Sequence, residues 1–517
     1  MSNKMVGRCT NFGNCDTANS EANVEVNESE EFICPECGKS LDSLLPSNPP
    51  LDKWKTKALV VLAIVAFGST LVFALNHFIR NWRIIPGNAP EKKVNPGVDN
   101  ATLRLVGSDT FAKKLAPALI ESFFKSMGCS SVTQQRVEDT FTKFSCRHDG
   151  KEHLASIRSN TSASAFIALK DGSANVGMTS RRATPAEVKS LLAKTNLLSP
   201  ANEHIIGLDG IAIIIHPANQ LPRLSIDQIR SLFSGKLKSF NQVGGINKPV
   251  SLYRLDANSG IYDSFSKMVM PGLPISAVAK SFAEGHELSA AIVADVSGLG
   301  FVGYTDIGDS KAVPIGWPGR PALLPNRFTI QTEDYPLTRR LYLYAISETS
   351  NTDVTKFISF VNSKAGQSVV ERENFVPLAI VRDRSLPQSR PLQGSSTPYP
   401  AATLIADRLS VNFRFNTGSN QLDNRALSDL DRMTEFLLQN STDPKKLILV
   451  GFTDDVGDPA SNLVLSKQRA NAVADALRSR GVIPGRVTGF GSENPVASNS
   501  TPDGRERNRR VEVWVSK

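Results

Sequence analysis

From Ala58 to Leu75 the sequence reads ALVVLAIVAFGSTLVFAL, with no charge and only Ser69 and Thr70 carrying polar side chains. Extended through Asn76 to Ile79 as a helix at about 1.5 Å per residue, it reaches roughly 30 Å, the thickness of a bilayer's hydrocarbon layer. A helix satisfies its own backbone hydrogen bonds there. A core helix seldom runs so long without a polar face. The expectation is one transmembrane helix over residues 57–79. The 57 residues before Ala58 argue against a cleaved signal peptide, whose apolar region lies near the start of a chain. The rest of the chain is then divided between two compartments.

Cysteine chemistry assigns them. Cys9, Cys15, Cys34 and Cys37 precede the helix, spaced C-x5-C and C-x2-C with eighteen residues between, and the second knuckle reads Cys-Pro-Glu-Cys-Gly. Four grouped thiolates suit tetrahedral structural zinc, which requires reduced cysteines and so a cytosolic face. Residues 1–46 read as a zinc ribbon. With few apolar residues between the knuckles, metal binding would supply most of the folding free energy. Four thiolates leave no open position for water, so this is not a catalytic site. Cys129 and Cys146 follow the helix and suit one disulfide in an oxidising compartment, the alternative being two buried thiols. The amino terminus is therefore expected inside and the long remainder outside. Flanking charge does not decide the orientation, since Lys53, Lys55 and Lys57 on one side face Arg80, Arg83, Lys92 and Lys93 on the other.

The net charge of +9 conceals an acidic start: residues 1–50 hold three Lys/Arg against eight Asp/Glu. The positive excess beyond the membrane segment is dispersed and has no Lys/Arg tract, which points away from nucleic acid. Residues 80–101, rich in Pro, Gly and Asn, read as a linker, as do residues 383–404 with their Pro and Ser.

Between the linkers, an apolar strand Leu103–Val106 enters the turn Gly107-Ser108-Asp109-Thr110-Phe111 and a helix from about Ala112 to Met127. Backbone amides and hydroxyls at a helix start suit an anion. A second Ser/Thr cluster lies within residues 155–182, followed by GLDGIAIIIHPAN (Gly207–Asn219), YRLDANSGIYDSF (Tyr253–Phe265), GLGFVGY (Gly298–Tyr304) and a final helix near Lys356–Leu378. In this order the stretches resemble the phosphate-binding family of periplasmic solute-binding proteins over residues 102–382. The resemblance implies two α/β lobes that close on a bound phosphate or similar oxyanion. It carries ligand roles onto Ser108, Thr110, Phe111, Ser162, Ser164 and Ser180, onto Arg254 as the cationic partner, and onto Ser259 and Gly260. A guanidinium with neutral donors suits a multiply charged tetrahedral anion. Two departures stand out: the Arg254-to-Ser259 spacing is one residue longer than the family's R-x-x-x-S-G-T, and Ile261 replaces the Thr.

The last stretch alternates as a strand at Leu409–Phe415, offers Asp423 as a helix cap, and continues through the buried strand Leu447–Phe452 into an amphipathic helix from Pro459. It contains T-D-x-x-G, N-x-x-L-S-x-x-R-A and G-R-x-x-N-R-R in order. Residues 405–517 resemble the OmpA-like peptidoglycan-binding domain, whose ligand is the diaminopimelate of the stem peptide. That zwitterion needs a carboxylate and a guanidinium. The resemblance assigns these roles to Asp454 and Arg469, with Thr453, Asn462, Leu465 and Arg509 shaping the pocket.

The expected fold class is a multidomain α/β and α+β chain: a small zinc ribbon, a single transmembrane helix, a two-lobed periplasmic-binding-protein fold and an OmpA-like βαβαββ domain. No nucleophile-base arrangement emerges, so no catalysis is expected. The leading reading is an inner-membrane receptor anchored to the cell wall that reports to a cytosolic partner of the zinc ribbon. The alternative is a structural tether whose middle domain has lost its ligand or docks a protein. An ion-driven motor component fits less well, because Ala58–Leu75 lacks an intramembrane acid.

Overall fold

The structure is a computed structural model that describes residues 99–109, 111–317, 322–346, 352–383, 403, 406–415 and 421–517, with short stretches at 4–8, 23–27, 33–34 and 41–43. It divides into two compact units, Met1–Val98 and Asp99–Lys517. The first contains strands β1 (Lys4–Arg8), β2 (Asn23–Asn27) and β3 (Asp42–Ser43), with β1 central and antiparallel to both neighbours. Cys34 is buried. Cys9, Cys15, Cys37 and the apolar run Ala58–Leu75 lie outside the described residues. Among the described residues no helix is long and apolar enough to cross a membrane.

The second unit begins with a lobe built on β4 (Leu103–Ser108). Its parallel neighbours are β7 (Lys151–Asn160) and β8 (Val176–Thr179). A strand paired in parallel on both edges and covered by helices is apolar throughout, and Leu103, Leu105 and Val106 are buried. Two helices pack on it, α1 (Ala116–Ser126) through Leu119, Ile120 and Phe123, and α2 (Ser162–Asp171), capped by Thr161. Gly107 has φ 148°, and an added Cβ would run into the Met178 carbonyl, so only glycine lets the chain turn here. Strands β5 (Thr133–Glu138) and β6 (Phe141–His148) extend the sheet antiparallel beyond β7. A disulfide joins Cys129, just past α1, to Cys146 on β6, with Cα atoms 6.1 Å apart.

The second lobe holds β10 (Ser251–Leu255), α3 (Gly260–Val269), β11 (Lys280–Phe282), α4 (Gly285–Ala294) and β12 (Gly298–Gly303). Two longer strands cross between the lobes: β9, EHIIGLDGIAIII at Glu203–Ile215, and a second at Thr338–Ala345. The first is so continuously apolar and β-branched that it is buried almost from end to end. It pairs with the second over Glu203–Gly210 and with β12 over Ile211–Ile215, while Tyr342–Ala345 pair with β8. These crossover strands fuse the two lobe sheets, as the two-lobed reading requires.

The C-terminal domain runs β13 (Ala406–Arg414), α5 (Asn424–Gln439), β14 (Leu447–Gly451), α6 (Pro459–Arg478), β15 (Arg486–Gly489), α7 (Pro502–Asn508) and β16 (Arg510–Ser516). The expected βαβαββ order gains one short helix, α7, because Thr501 caps it and Pro502 pre-sets its first turn. Asp423 caps α5 as expected, accepting from the Ala426 amide at 2.7 Å. Arg382 and Asp383 pair with Leu409 and Arg408, so the chain has already joined this sheet where the linker was expected to begin.

The domain docks on the segment leading into the second crossover strand. Glu333, with φ 57°, is buried and meets Arg340 at 2.7 Å, Arg414 at 3.1 Å and Arg425. Arg408 reaches Asp334 at 2.8 Å, Arg414 donates to the Thr332 carbonyl at 3.1 Å, and Asn412 donates to it at 2.8 Å. Burial alone would raise the Glu333 carboxyl, but Arg340, Arg425 and Arg414 hold it well below the usual carboxylate range. Its stabilising contribution is therefore fully present above about pH 4.3 and is lost only as pH falls through its depressed folded value. Glu333→Ala, which leaves three buried cations short of a partner, is expected to cost about 3–5 kcal/mol in denaturant unfolding of the full chain. A change below about 1 kcal/mol would contradict this role.

Candidate functional site

The lobes face each other across a cavity of about 190 Å³. Asp109 enters from the end of β4, and Lys113 and Lys114 from the turn that follows it. Asp209 comes from the first crossover strand, Ser259 and Gly260 from the start of α3, and Glu284, Thr305 and Asp306 from the far lobe. Of the residues expected to bind an anion, Ser259 and Gly260 line this cavity. The Ser259 hydroxyl already accepts from the Ile261 amide at 3.2 Å, as a helix cap does.

The other candidates lie elsewhere. Arg254 is not among the cavity-lining side chains: it donates to the Leu255 carbonyl at 3.1 Å and its guanidinium lies 5.5 Å from the Tyr262 ring centre. Ser108 is buried at the strand end, and Phe111 sits in the first lobe's core. Ser162 and Ser180 meet each other, hydroxyl to hydroxyl at 3.4 Å, with the Ser180 amide donating to Ser162 at 3.3 Å. Ser164 is engaged with the Thr161 cap. Thr110 lies outside the described residues.

Sequence reasoning missed the charges that face the cavity, although Asp109 lies within the expected turn, Lys113 just after it and Asp209 in GLDG. Lys113 is 3.2 Å from Asp109. Asp209 is held by the buried Arg339 at 2.6 Å, and the same guanidinium donates to the Gly260 carbonyl at 2.7 Å and the Ser264 hydroxyl at 2.6 Å. Asp306 is pushed upward by burial first and also by Asp209 and Glu284, against the opposing pull of Lys114 and His286. The cavity thus offers ammonium groups, a hydroxyl and carboxylates, a set for a small polar solute.

The second site is on the C-terminal domain. Glycine at 451 and 489 brings Ser466 of α6 directly onto the sheet, since a Cβ at either would strike it. One turn further along α6, Arg469 is 3 % exposed with its guanidinium 5.5 Å from the Phe415 ring centre. Its Nε and Nη1 are buried without a hydrogen-bond partner, as is the Thr453 hydroxyl. Beside it, Asp454 pairs with Arg509 at 2.8 Å. Asn462 donates to the Val456 carbonyl at 3.1 Å and fixes the turn, and Leu465 is half-buried. Burial first and the Arg509 charge second push Arg469 down to about 10, with Asp454 opposing. All six residues expected here are described, and Asp454 and Arg469 converge although fifteen positions apart.

The model of the PBP superfamily domain matches residues 99–365, just over half of the chain. The chain belongs to the PBP superfamily. The OmpA family model matches residues 414–509, so the superfamily domain is fused to a C-terminal OmpA domain. Outer membrane protein A of Bordetella avium is 37% identical over 125 residues, which are 24% of this chain and 62% of that protein. Peptidoglycan-binding protein ArfA of Mycobacterium tuberculosis is 48% identical over 73 residues, 14% of this chain and 22% of that one. Phosphate-binding protein PstS of Borreliella burgdorferi is 21% identical over 197 residues, 36% of this chain and 69% of that one. The chain therefore spans less than two thirds of the first two relatives' length.

Two buried guanidinium nitrogens without a hydrogen-bond partner burden the OmpA domain. Arg469→Met, which keeps the stem and removes the charge, is expected to raise the stability of the unliganded protein by about 1–3 kcal/mol in denaturant melts. A loss of stability would show that Arg469 is structurally satisfied.

Proposed function

We propose that this protein holds the cell wall through its OmpA domain and binds a small polar solute, phosphate or a similar oxyanion, in the cleft of its PBP-superfamily domain. It acts as a receptor in the cell envelope and not as an enzyme. The observation that carries the reading is Arg469, whose buried Nε and Nη1 have no hydrogen-bond partner and lie beside the Asp454–Arg509 pair. A zwitterion such as the diaminopimelate of the peptidoglycan stem peptide supplies a carboxylate to Arg469 and an ammonium to Asp454. ArfA's name as a peptidoglycan-binding protein supports this assignment. Arg509 keeps its contact with the second Asp454 oxygen at 2.8 Å.

For the cleft, Lys113, Lys114, the Ser259 hydroxyl and the start of α3 are the groups that would hold an oxyanion. Residues 57–79 anchor the chain in the inner membrane, with the two folded domains in the periplasm. The amino-terminal cysteines carry a structural zinc that docks a cytosolic partner, a role supported by the burial of Cys34 and by β1 ending immediately before Cys9. A second reading, a tether whose middle domain docks a protein, is favoured by the placement of Arg254 away from the cavity.

Purified full chain titrated with muropeptide containing diaminopimelate should bind saturably, and Asp454→Asn or Arg469→Ala should weaken binding by roughly 30-fold or more. Binding unchanged in both variants would refute the assignment. In parallel, calorimetry with phosphate and sulfate should give saturable heat that a Lys113→Gln/Lys114→Gln variant loses. No heat with any oxyanion would leave the tether.

A further inference from the structure

Arg339 and Arg340 are neighbours on the second crossover strand, and adjacent side chains of a strand point to opposite faces. Arg339 turns toward the cleft, where it holds Asp209 and the first turn of α3 through the Gly260 carbonyl and Ser264. Both Asp209 and Gly260 line the cavity. Arg340 turns the other way, to Glu333 at 2.7 Å and to Asp423 at 2.9 Å. Asp423 belongs to the OmpA domain and caps its first helix with the other carboxylate oxygen. The same domain also reaches the start of the first crossover strand, where Asn424 donates to Glu203 at 2.7 Å.

We propose that this arginine pair links the two sites: the OmpA domain, docked on the strands that join the lobes, biases the geometry of the cleft, and occupancy of the wall-binding pocket is felt there. The proposal rests on the assignment of Arg469 and Asp454 to a stem-peptide ligand. A change in lobe angle requires the crossover strands to twist, and each strand is fixed by buried polar contacts to a domain with its own ligand. Any shift in that domain's seating moves Arg340, and through one peptide unit it moves Arg339. Asp209 and the start of α3 follow, because buried charge pairs keep their partners or lose heavily. Linkage makes the effect reciprocal, with couplings of this kind typically about 5- to 150-fold in affinity.

The test is hydrogen exchange on the full chain, with and without muropeptide containing diaminopimelate, read at the amides of α3 and of Thr305–Asp306. Asp423→Asn is the comparison variant, since asparagine caps a helix as well as aspartate but withdraws the carboxylate from Arg340. The expected result is a change of several-fold in cleft exchange on muropeptide binding that disappears in Asp423→Asn, while the variant still binds the muropeptide. Binding with no change at the cleft overturns the link. A cleft change that persists in Asp423→Asn also overturns it, because the path would then bypass Arg340. Absence of any muropeptide binding, visible as unchanged exchange around Arg469 itself, overturns the wall-binding assignment and the link with it.

Discussion

One buried carboxylate organises the meeting of the two domains. Glu333 has a left-handed backbone, a conformation that costs a non-glycine residue on the order of 1 kcal/mol or more unless its surroundings impose it. Its surroundings are three arginines, one from its own domain and two from the C-terminal domain. Bringing so many charges out of water is favourable only if all find partners. They are supplied by Asp423 for Arg340, Asp429 for Arg425, and the Thr332 and Arg507 carbonyls for Arg414. The balance is close: Arg414 is pushed down to about 10, mainly by burial. Position 333 thus ties the path of the chain into the crossover strand to the seating of a domain that begins some seventy residues later.

The two sites illustrate opposite treatments of a buried guanidinium. Arg339 is saturated: Asp209, a carbonyl and a hydroxyl take its donors, and it acts as a fixed strut under the cleft. Arg469 is buried to a similar degree but left wanting, and its nearest like charge, Arg509, adds to the cost. One guanidinium is satisfied within the fold, and the other keeps two buried nitrogens without a hydrogen-bond partner.

Legibility in the sequence followed the range of the determining interactions. The Asp423 cap, the helix beginning at Pro459 and the strand Gly298–Gly303 were readable because caps, prolines and apolar runs act within a few residues. The Asp454–Arg469 juxtaposition was readable because its motif carries the fold of the intervening turn. The cleft was not. Ser162 and Ser180 meet each other instead of the cavity, and Arg254 turns to Tyr262, outcomes set by strand orientation and tertiary packing that no local pattern records. Asp109 and Asp209 were visible as residues but not as cavity walls. The docking surface was wholly hidden, because Glu333, Arg408, Arg414 and Arg425 read in sequence as ordinary solvated charges. The short strand at Arg382 was missed for the same reason, as pairing partners lie beyond a Pro- and Ser-rich stretch that reads as a spacer.

That the docking surface is ionic and not apolar has a consequence for its energetics. An apolar interface gains by its area, and separating it exposes surface that water rejects. Charges that separate from one another are welcomed back by water, so desolvation offsets much of what their attraction contributes. The pairing at Glu333 is therefore demanding in geometry and modest in net free energy. Such a contact selects one seating of the C-terminal domain over all others, and the coupling proposed above needs a bound ligand to shift that seating by only a few kcal/mol. A hydrophobic seam of the same extent would hold the domain as firmly whether or not either site were filled.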